Sequence, residues 1–459
     1  GRVRYRLNSL YRREESFRDL DNAFERFFVA PTVAWDISDR TSLTTSLEYI
    51  DDSDQADFGL PAFGDSVADI PFSRVVNSNP NDTVDKEYLR VGYTLEHQFS
   101  ENWQLRNEFR YVSDYYTYGV IAVPFGDVAP NGDLFRGFAR QFNERDNYSL
   151  YTNVQGSFNS GSVEHNLLFG VDLAREEDFG GGEDAHACLR NYSTANRLGI
   201  YLQDQIYLLD NLIVLAGLRY DTVDQDTTST TSTPFGETVE ETGQNDDAFT
   251  PRIGVVYQPT ATIALYGSYA QSFNPNSGVD INNSTLEPET GDGFEVGVKA
   301  DLIPNRLSAT LAYFNITRQN VATADPNDPL AIARIATGEQ RSQGVEMDVS
   351  GEILPGWNII ASYAYTDAEI TEDNTFEVGN RLPGVPEHSA SLWSTYRIQS
   401  GDLDGLGFGL GINYVGERQG GLDNSFEVDD YFLTSAAAFY ERDQWKFQVN
   451  IDNLFDVDY

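Results

Sequence analysis

Residues 445–459, WKFQVNIDNLFDVDY, place Trp445, Phe447, Val449, Ile451 and Phe455 on one parity and Lys446, Gln448, Asn450 and Asp452 on the other. A period of two describes a strand with one apolar and one polar face. The same alternation recurs along the chain. Leu89, Val91, Tyr93, Leu95 and Phe99 oppose Arg90, Thr94, Glu96 and Gln98, and Val345, Met347, Val349 and Ile353 oppose Glu346, Asp348, Ser350 and Glu352. Buried parallel strands read as continuous apolar runs, so the pattern predicts an antiparallel sheet with one wet face. The aromatic-rich parity must meet something dry. In a closed ring that is either a packed second layer or lipid.

About nineteen such runs extend from residue 2 to residue 457, with no domain punctuation between them. Their connections alternate in length. Tight polar turns of a few residues lie at 38–41, 100–102, 159–162, 210–211, 259–262, 304–305, 354–356 and 442–444. Long connections lie between them at 52–85, 119–138, 177–192, 223–247, 274–292, 321–331 and 371–387. In an up-and-down sheet, alternate connections share an end. Sorting of short turns from long loops is the asymmetry of a transmembrane barrel, with short periplasmic turns and long external loops. The expected fold is therefore all-β, a transmembrane up-and-down antiparallel β-barrel over residues 1–459. Trp103 and Trp445 just after short turns, and Tyr363 and Tyr365 near an outer strand end, fit two interfacial aromatic girdles.

The long connections are acidic. Asp51 to Asp85 carries eight acids against the single base Arg74, and Asp221 to Asp247 carries eight acids and no base. The second of these holds the low-complexity run Thr227–Thr233, expected to be mobile. A net charge of −41 excludes a nucleic-acid partner, because a phosphate-binding surface must be basic. One cysteine, Cys188, excludes an internal disulfide framework. No run of about 18 apolar residues offers a helical span. The chain opens at Gly1 without a charged-then-apolar leader.

Catalytic motifs are missing. The four histidines are dispersed, and there is no glycine-rich phosphate loop, CxxC or HExxH. A non-enzymatic protein is expected. Glu183, Asp184, His186 and Cys188 form one metal-like group after a GGG run, read as a polar loop without four fixed ligands. The acidic loops are read as a solvated anionic surface, with divalent-cation bridges to lipopolysaccharide as the sharper alternative. A bulky polar ligand needs aromatics and hydrogen-bonding groups on the wet parity near the long-loop end. The residues that meet this requirement are Tyr88, Tyr116, Tyr118, Arg145 and Arg197.

Five ordered motifs go further: YGSYAQSFNP at 266–275, LEPETGDGFEVGVK at 286–299, ATGEQRSQGVE at 336–346, GNRLPGVP at 379–386 and NLFD at 453–456. Together they resemble TonB-dependent outer-membrane receptors, most of all the ferric-siderophore receptors of the hydroxamate, ferrichrome-like branch. Gln343 stands where that family often has a basic residue.

The resemblance implies a 22-stranded barrel, of which this chain would be a fragment lacking the N-terminal plug and a C-terminal closing strand. It also implies a location in the outer membrane of a Gram-negative-type bacterium. The implied partners are a ferric siderophore, the TonB energy-transducing complex reached through a plug segment, and outer-membrane lipid and lipopolysaccharide. No cofactor is expected, since ferric iron travels inside the ligand. The competing functions are a passive porin for small solutes, a receptor for heme, cobalamin or another chelate, and a surface adhesin.

Overall fold

The computed structural model describes residues 2–457 except 21–22, 58, 64–65, 77–82, 126–127, 130, 185–186, 277, 283 and 326–332. The strands in chain order are β1 Val3–Glu14, β2 Phe24–Ser38, β3 Thr41–Gln55, β4 Ala62–Phe63, β5 Ser66–Val67, β6 Thr83–Gln98, β7 Trp103–Phe125, β8 Phe135–Ser160, β9 Val163–Asp184, β10 Cys188–Leu209, β11 Leu212–Thr233 and β12 Gly236–Thr260. They continue as β13 Ile263–Asn274, β14 Glu289–Ile303, β15 Leu307–Ala324, β16 Arg334–Leu354, β17 Trp357–Glu372, β18 His388–Arg397, β19 Leu406–Val415, β20 Arg418–Gln419, β21 Glu427–Val428, β22 Tyr431–Arg442 and β23 Trp445–Ile451. Nineteen of them form one sheet; the two-residue pairs β4–β5 and β20–β21 stand apart. Neighbours in the large sheet are successive long strands, paired antiparallel, as in β2–β3, β6–β7, β15–β16 and β19–β22.

The chain divides into two compact units, 1–205 with 217–250, and 206–216 with 251–459. In the second unit one row of paired residues runs Tyr257, Leu265, Val298, Leu311, Met347, Tyr363, Ala390, Tyr414, Phe432. A nearby row of the other parity runs Ala264, Lys299, Thr310, Asp348, Ser362, Ser391, Asn413. Alternation in sequence thus becomes segregation across the sheet. The first unit does the same, with Trp35, Leu43 and Leu95 in one row and Thr44, Thr94, Glu108, Tyr151 and Asp172 in the next.

The apolar rows are not covered by a second layer. Val296 is 50% exposed, Leu311 47% and Leu265 45%, while the only large side chain fully buried among the described residues is Ile370. A water-soluble sheet would hide its apolar face and so gain about 25 cal/mol per Å². Here the polar parity is the one that is knitted together. Arg219 pairs with Asp172 at 2.6 Å, Arg318 with Glu289 at 2.6 Å and Arg106 with Glu108 at 3.1 Å. A bare apolar face opposite a hydrogen-bonded polar one is the arrangement that lipid requires.

Three of the long connections differ from the sequence-based expectation. The segment 223–247, with its Thr227–Thr233 run, is not a loop: β11 and β12 continue through it and turn only at residues 234–235. Threonine is β-branched and packs well on a pleated surface, so the run supports a strand. Likewise β7 runs on to Phe125 and β8 starts at Phe135, and β9 runs on to Asp184 and β10 starts at Cys188. A bilayer-crossing strand needs about 9–11 residues. The 26 residues of β8 and the 25 of β12 therefore continue well past the membrane as a projecting sheet.

Connections in the second unit are shorter in ladder and richer in side-chain bonds. The buried Asn276 amide donates to the carbonyls of Glu287 (3.0 Å) and Asn320 (2.6 Å). Asn424, in the left-handed region at φ 52°, donates to the carbonyls of Arg381 (2.9 Å) and Gly421 (3.0 Å) and accepts the Arg381 N–H (2.8 Å). Backbone bonds from Ile370 N–H to Asn380 C=O and from Gly379 N–H to Ile370 C=O, both 2.8 Å, close the GNRLPGVP segment over Ile370.

Candidate functional site

The wet parity at the outer end of β6–β9 carries most of the sequence candidates. Tyr88 pairs with Asp114, Asp114 with Arg145 and Arg145 with Asp178, so one row crosses four strands. One step further out, Lys86 pairs with Tyr116 and Tyr116 with Asn143; beyond that, Val84 pairs with Tyr118 and Tyr118 with Gln141. Tyr116 and Tyr118 meet edge to face, with ring centroids 5.8 Å apart at 85°. Such a pair presents two phenols to the same space.

Arg145 is fixed by its acids. Its Nε and a terminal nitrogen both lie 2.9 Å from Asp178 Oδ2, with Glu176 3.6 Å away. Half of the side chain, 52%, stays exposed, so the guanidinium keeps donors for a ligand.

A cavity of about 410 Å³ adjoins Tyr118 and is bounded by Phe24, Arg26, Asp52, Asp54 and Lys86. Its floor is a bidentate pair, Arg26 to Asp52, at 2.7 and 2.6 Å. A second cavity of about 460 Å³ lies over the glycine run of β9, with Gln141, Phe142, Asn143, Asp178 and Asn191 in its wall. A Cβ on Gly180 would sit 2.6 Å from Asn143 Oδ1, and one on Gly181 would sit 2.5 Å from the Leu189 carbonyl. The three glycines strip one strand of side chains and leave a trough between amides. Asn191 Oδ1 is buried there without a hydrogen-bond partner.

Four candidates, Tyr88, Tyr116, Tyr118 and Arg145, are thus brought onto neighbouring strands. Arg197 is not among them. It borders another cavity of about 490 Å³ whose other walls include Leu150, Leu173 and Leu198. Sequence reading passed over Arg26, Asp52 and Asn191. The available signal was Gly180–Gly182 inside a strand pattern, since glycine in a strand marks close approach of another group.

Of the metal-like group, Glu183 and Asp184 end β9, Cys188 begins β10, and His186 lies outside the described residues. Cys188 Sγ lies 3.8 Å from Glu183 Oε1. Among the described residues, no three His, Cys, Asp or Glu side chains are placed to hold a metal ion. Gln343 accepts from Asn315 (3.2 Å) and Tyr313 (3.3 Å) and donates to Asp367 (3.0 Å).

Exposed apolar rows opposite hydrogen-bonded polar rows are the arrangement of an outer-membrane barrel. A family model described as TonB dependent receptor-like, beta-barrel, matches residues 33–454. The chain belongs to the TonB-dependent receptor family. It is an outer-membrane β-barrel protein, a receptor and not an enzyme.

Similar proteins include the metal-pseudopaline receptor of Pseudomonas aeruginosa, 32% identical over all of this chain and 68% of the relative. The ferrichrome outer membrane transporter and phage receptor of Escherichia coli is 29% identical over all of this chain and 67% of its own length. Among solved structures, a siderophore receptor of Acinetobacter baumannii superposes with a TM-score of 0.88 at 23% identity, covering 99% of this chain and 74% of that one. This TonB-dependent receptor chain thus spans about two thirds of the length of the curated relatives it matches.

Proposed function

We propose that this TonB-dependent receptor takes up a ferric siderophore of the hydroxamate type at the outer vestibule. The observation that carries the reading is the row Tyr88, Asp114, Arg145, Asp178 beneath the Tyr116–Tyr118 pair. It offers phenol donors, exposed guanidinium N–H groups and ring faces to a bulky chelate with polar edges. Ferrichrome and ferrioxamine B receptors among the relatives support the hydroxamate class. The metal-pseudopaline receptor supports a second reading, a different metal chelate. Arg145 suits one that bears a carboxylate, because guanidinium matches carboxylate in a bidentate fork.

The receptor performs no bond chemistry. Iron enters within its chelate, and no iron ligands are required of the barrel. Energy reaches the site through a plug domain contacted by the TonB complex; the extra length of the relatives leaves room for it. Lipopolysaccharide is the proposed neighbour of the projecting acidic strands.

The test is a fluorescence titration of the full receptor with ferric and iron-free chelates of both classes. Hydroxamate binding is expected to weaken about tenfold in Arg145→Ala, roughly the loss of one charge-assisted hydrogen bond, about 1.4 kcal/mol. Tight binding of heme or cobalamin with no response to ferric hydroxamates would overturn the assignment.

A further inference from the structure

The lipid-facing parity carries a built polar cluster near the short-turn end of β9 and β10. On β9 that parity is Val163, His165, Leu167, Phe169, Val171 and Leu173, with Phe169 47% and Leu173 46% exposed. On β10 it includes Ile200, Leu202 and Asp204, with Ile200 40% and Leu202 50% exposed. An ionisable group on such a face is expensive and marks a functional position.

Asp204 is held rather than left bare. Its Oδ2 lies 2.7 Å from His165 Nδ1, and His165 Nε2 lies 2.9 Å from Ser160 Oγ. With a carboxylate beside Nδ1, the tautomer that suits the pair has Nδ1–H donating to Asp204 and Nε2 accepting the Ser160 hydroxyl. Phe158 lies flat on the imidazole at 4.8 Å and 5°. The order Ser, His, Asp is that of a nucleophilic relay, but this one lies on the apolar wall.

The cluster is incomplete. Asp204 Oδ1 is buried and has no hydrogen-bond partner. A donor from the membrane side reaches it only with a turn of the carboxylate about its last bond, a broad torsion. Ser160 flanks the turn at 161–162, which places the cluster at the boundary between apolar band and periplasmic water.

We propose that Ser160, His165 and Asp204 bind the primary ammonium of a phosphatidylethanolamine headgroup in the periplasmic leaflet. The ammonium brings a positive charge and three N–H donors. One satisfies Asp204 Oδ1 and a second reaches the free lone pairs of Ser160 Oγ. A choline headgroup has the charge but no N–H, and a phosphatidylglycerol headgroup has the wrong sign.

The experiment is native mass spectrometry of the full receptor released from mixed micelles. These contain phosphatidylethanolamine, phosphatidylcholine and phosphatidylglycerol of identical acyl chains. The expected result is about fivefold retention of phosphatidylethanolamine over the other two, lost in the near-isosteric Asp204→Asn and halved in Ser160→Ala. Glu177→Gln, on the same β9 parity at the opposite end, is expected to leave the preference intact. Water-soluble phosphoethanolamine is expected to compete only weakly, which separates a lipid site from a free-amine site. Equal retention of the three lipids by the wild type, or an unchanged preference in correctly folded Asp204→Asn, would overturn the proposal. Folding is checked by heat-modifiable mobility on gels.

Discussion

The outer ends of the two units solve one problem in opposite ways. Long connections above a membrane carry many backbone donors and acceptors, and each must be satisfied. In the first unit β7 to β11, continued by the outer half of β12, satisfy them with ladders, carrying the sheet outward until only short turns remain. In the second unit the strands stop earlier and amide side chains close the loops, as Asn276 and Asn424 do. The ladder needs only β-propensity and tolerates acids and threonines in any order. The amide solution needs particular residues at particular positions. Recognisable motifs therefore crowd into the second unit, while the first looks like low-complexity sequence.

The first unit also has one connection closed by a side chain, and it sharpens the contrast. Arg18, 8% exposed, donates to the carbonyls of Phe72, Gly59 and Arg74 at 3.0, 3.2 and 2.7 Å, and pairs with Asp57 at 2.8 Å. One guanidinium does there what several amides do in the second unit.

The largest expected effect comes from breaking the ladder. In Thr230→Pro, within β11 and with β10 on one side and β12 on the other, a ladder bond is removed, which should open the projecting sheet locally. Limited proteolysis should then cut within 223–247 and leave the loops of the second unit resistant. Arg18→Ala should rank next, since Asp57 loses its partner and three carbonyls lose a donor. About 2–4 kcal/mol of local stability should vanish, read as faster hydrogen exchange near Gly59 and Phe72. Asn276→Ala leaves two carbonyls short of a donor and should cost about 1–3 kcal/mol, with exchange rising at 276–288 but not in β11 or β12.

The smallest effect belongs to Asp280. Backbone N–H groups of Ser284 (2.7 Å) and Asn282 (2.8 Å) hold its carboxyl below its ordinary value of 3.8. A lowered folded value means the contribution is full above the ordinary value and fades as pH falls through the folded value. Loop exchange should therefore rise slightly in acid below about pH 4 in the wild type. In Asp280→Asn that acid response should vanish.

Parity made the fold legible. Trp35, Leu43 and Leu95 alternate with polar neighbours in three separate runs, and the register then lines them up. Short turns were equally plain, because Asn, Asp, Gly and Pro have local reasons to sit in them. The projecting hairpins were misread because acids and threonines have the composition of a disordered loop and the propensity of a strand. Cross-strand partners decide between the two, and a single strand's sequence does not contain them. The vestibule was half legible for the same reason. Tyr116 and Arg145 announce themselves by side chain and parity. The trough at Gly180–Gly182 arises from what Asn143 and Leu189 do around it.

With Ile370 as the one large side chain fully buried among the described residues, this chain has no nucleus around which to collapse in water. Its greasy rows become an asset only when hydrocarbon surrounds them. On its way to the outer membrane it must travel unfolded and escorted, and assembly and insertion become one event. A cell that lost the escort would accumulate aggregate, and no soluble intermediate of this protein would wait to be rescued.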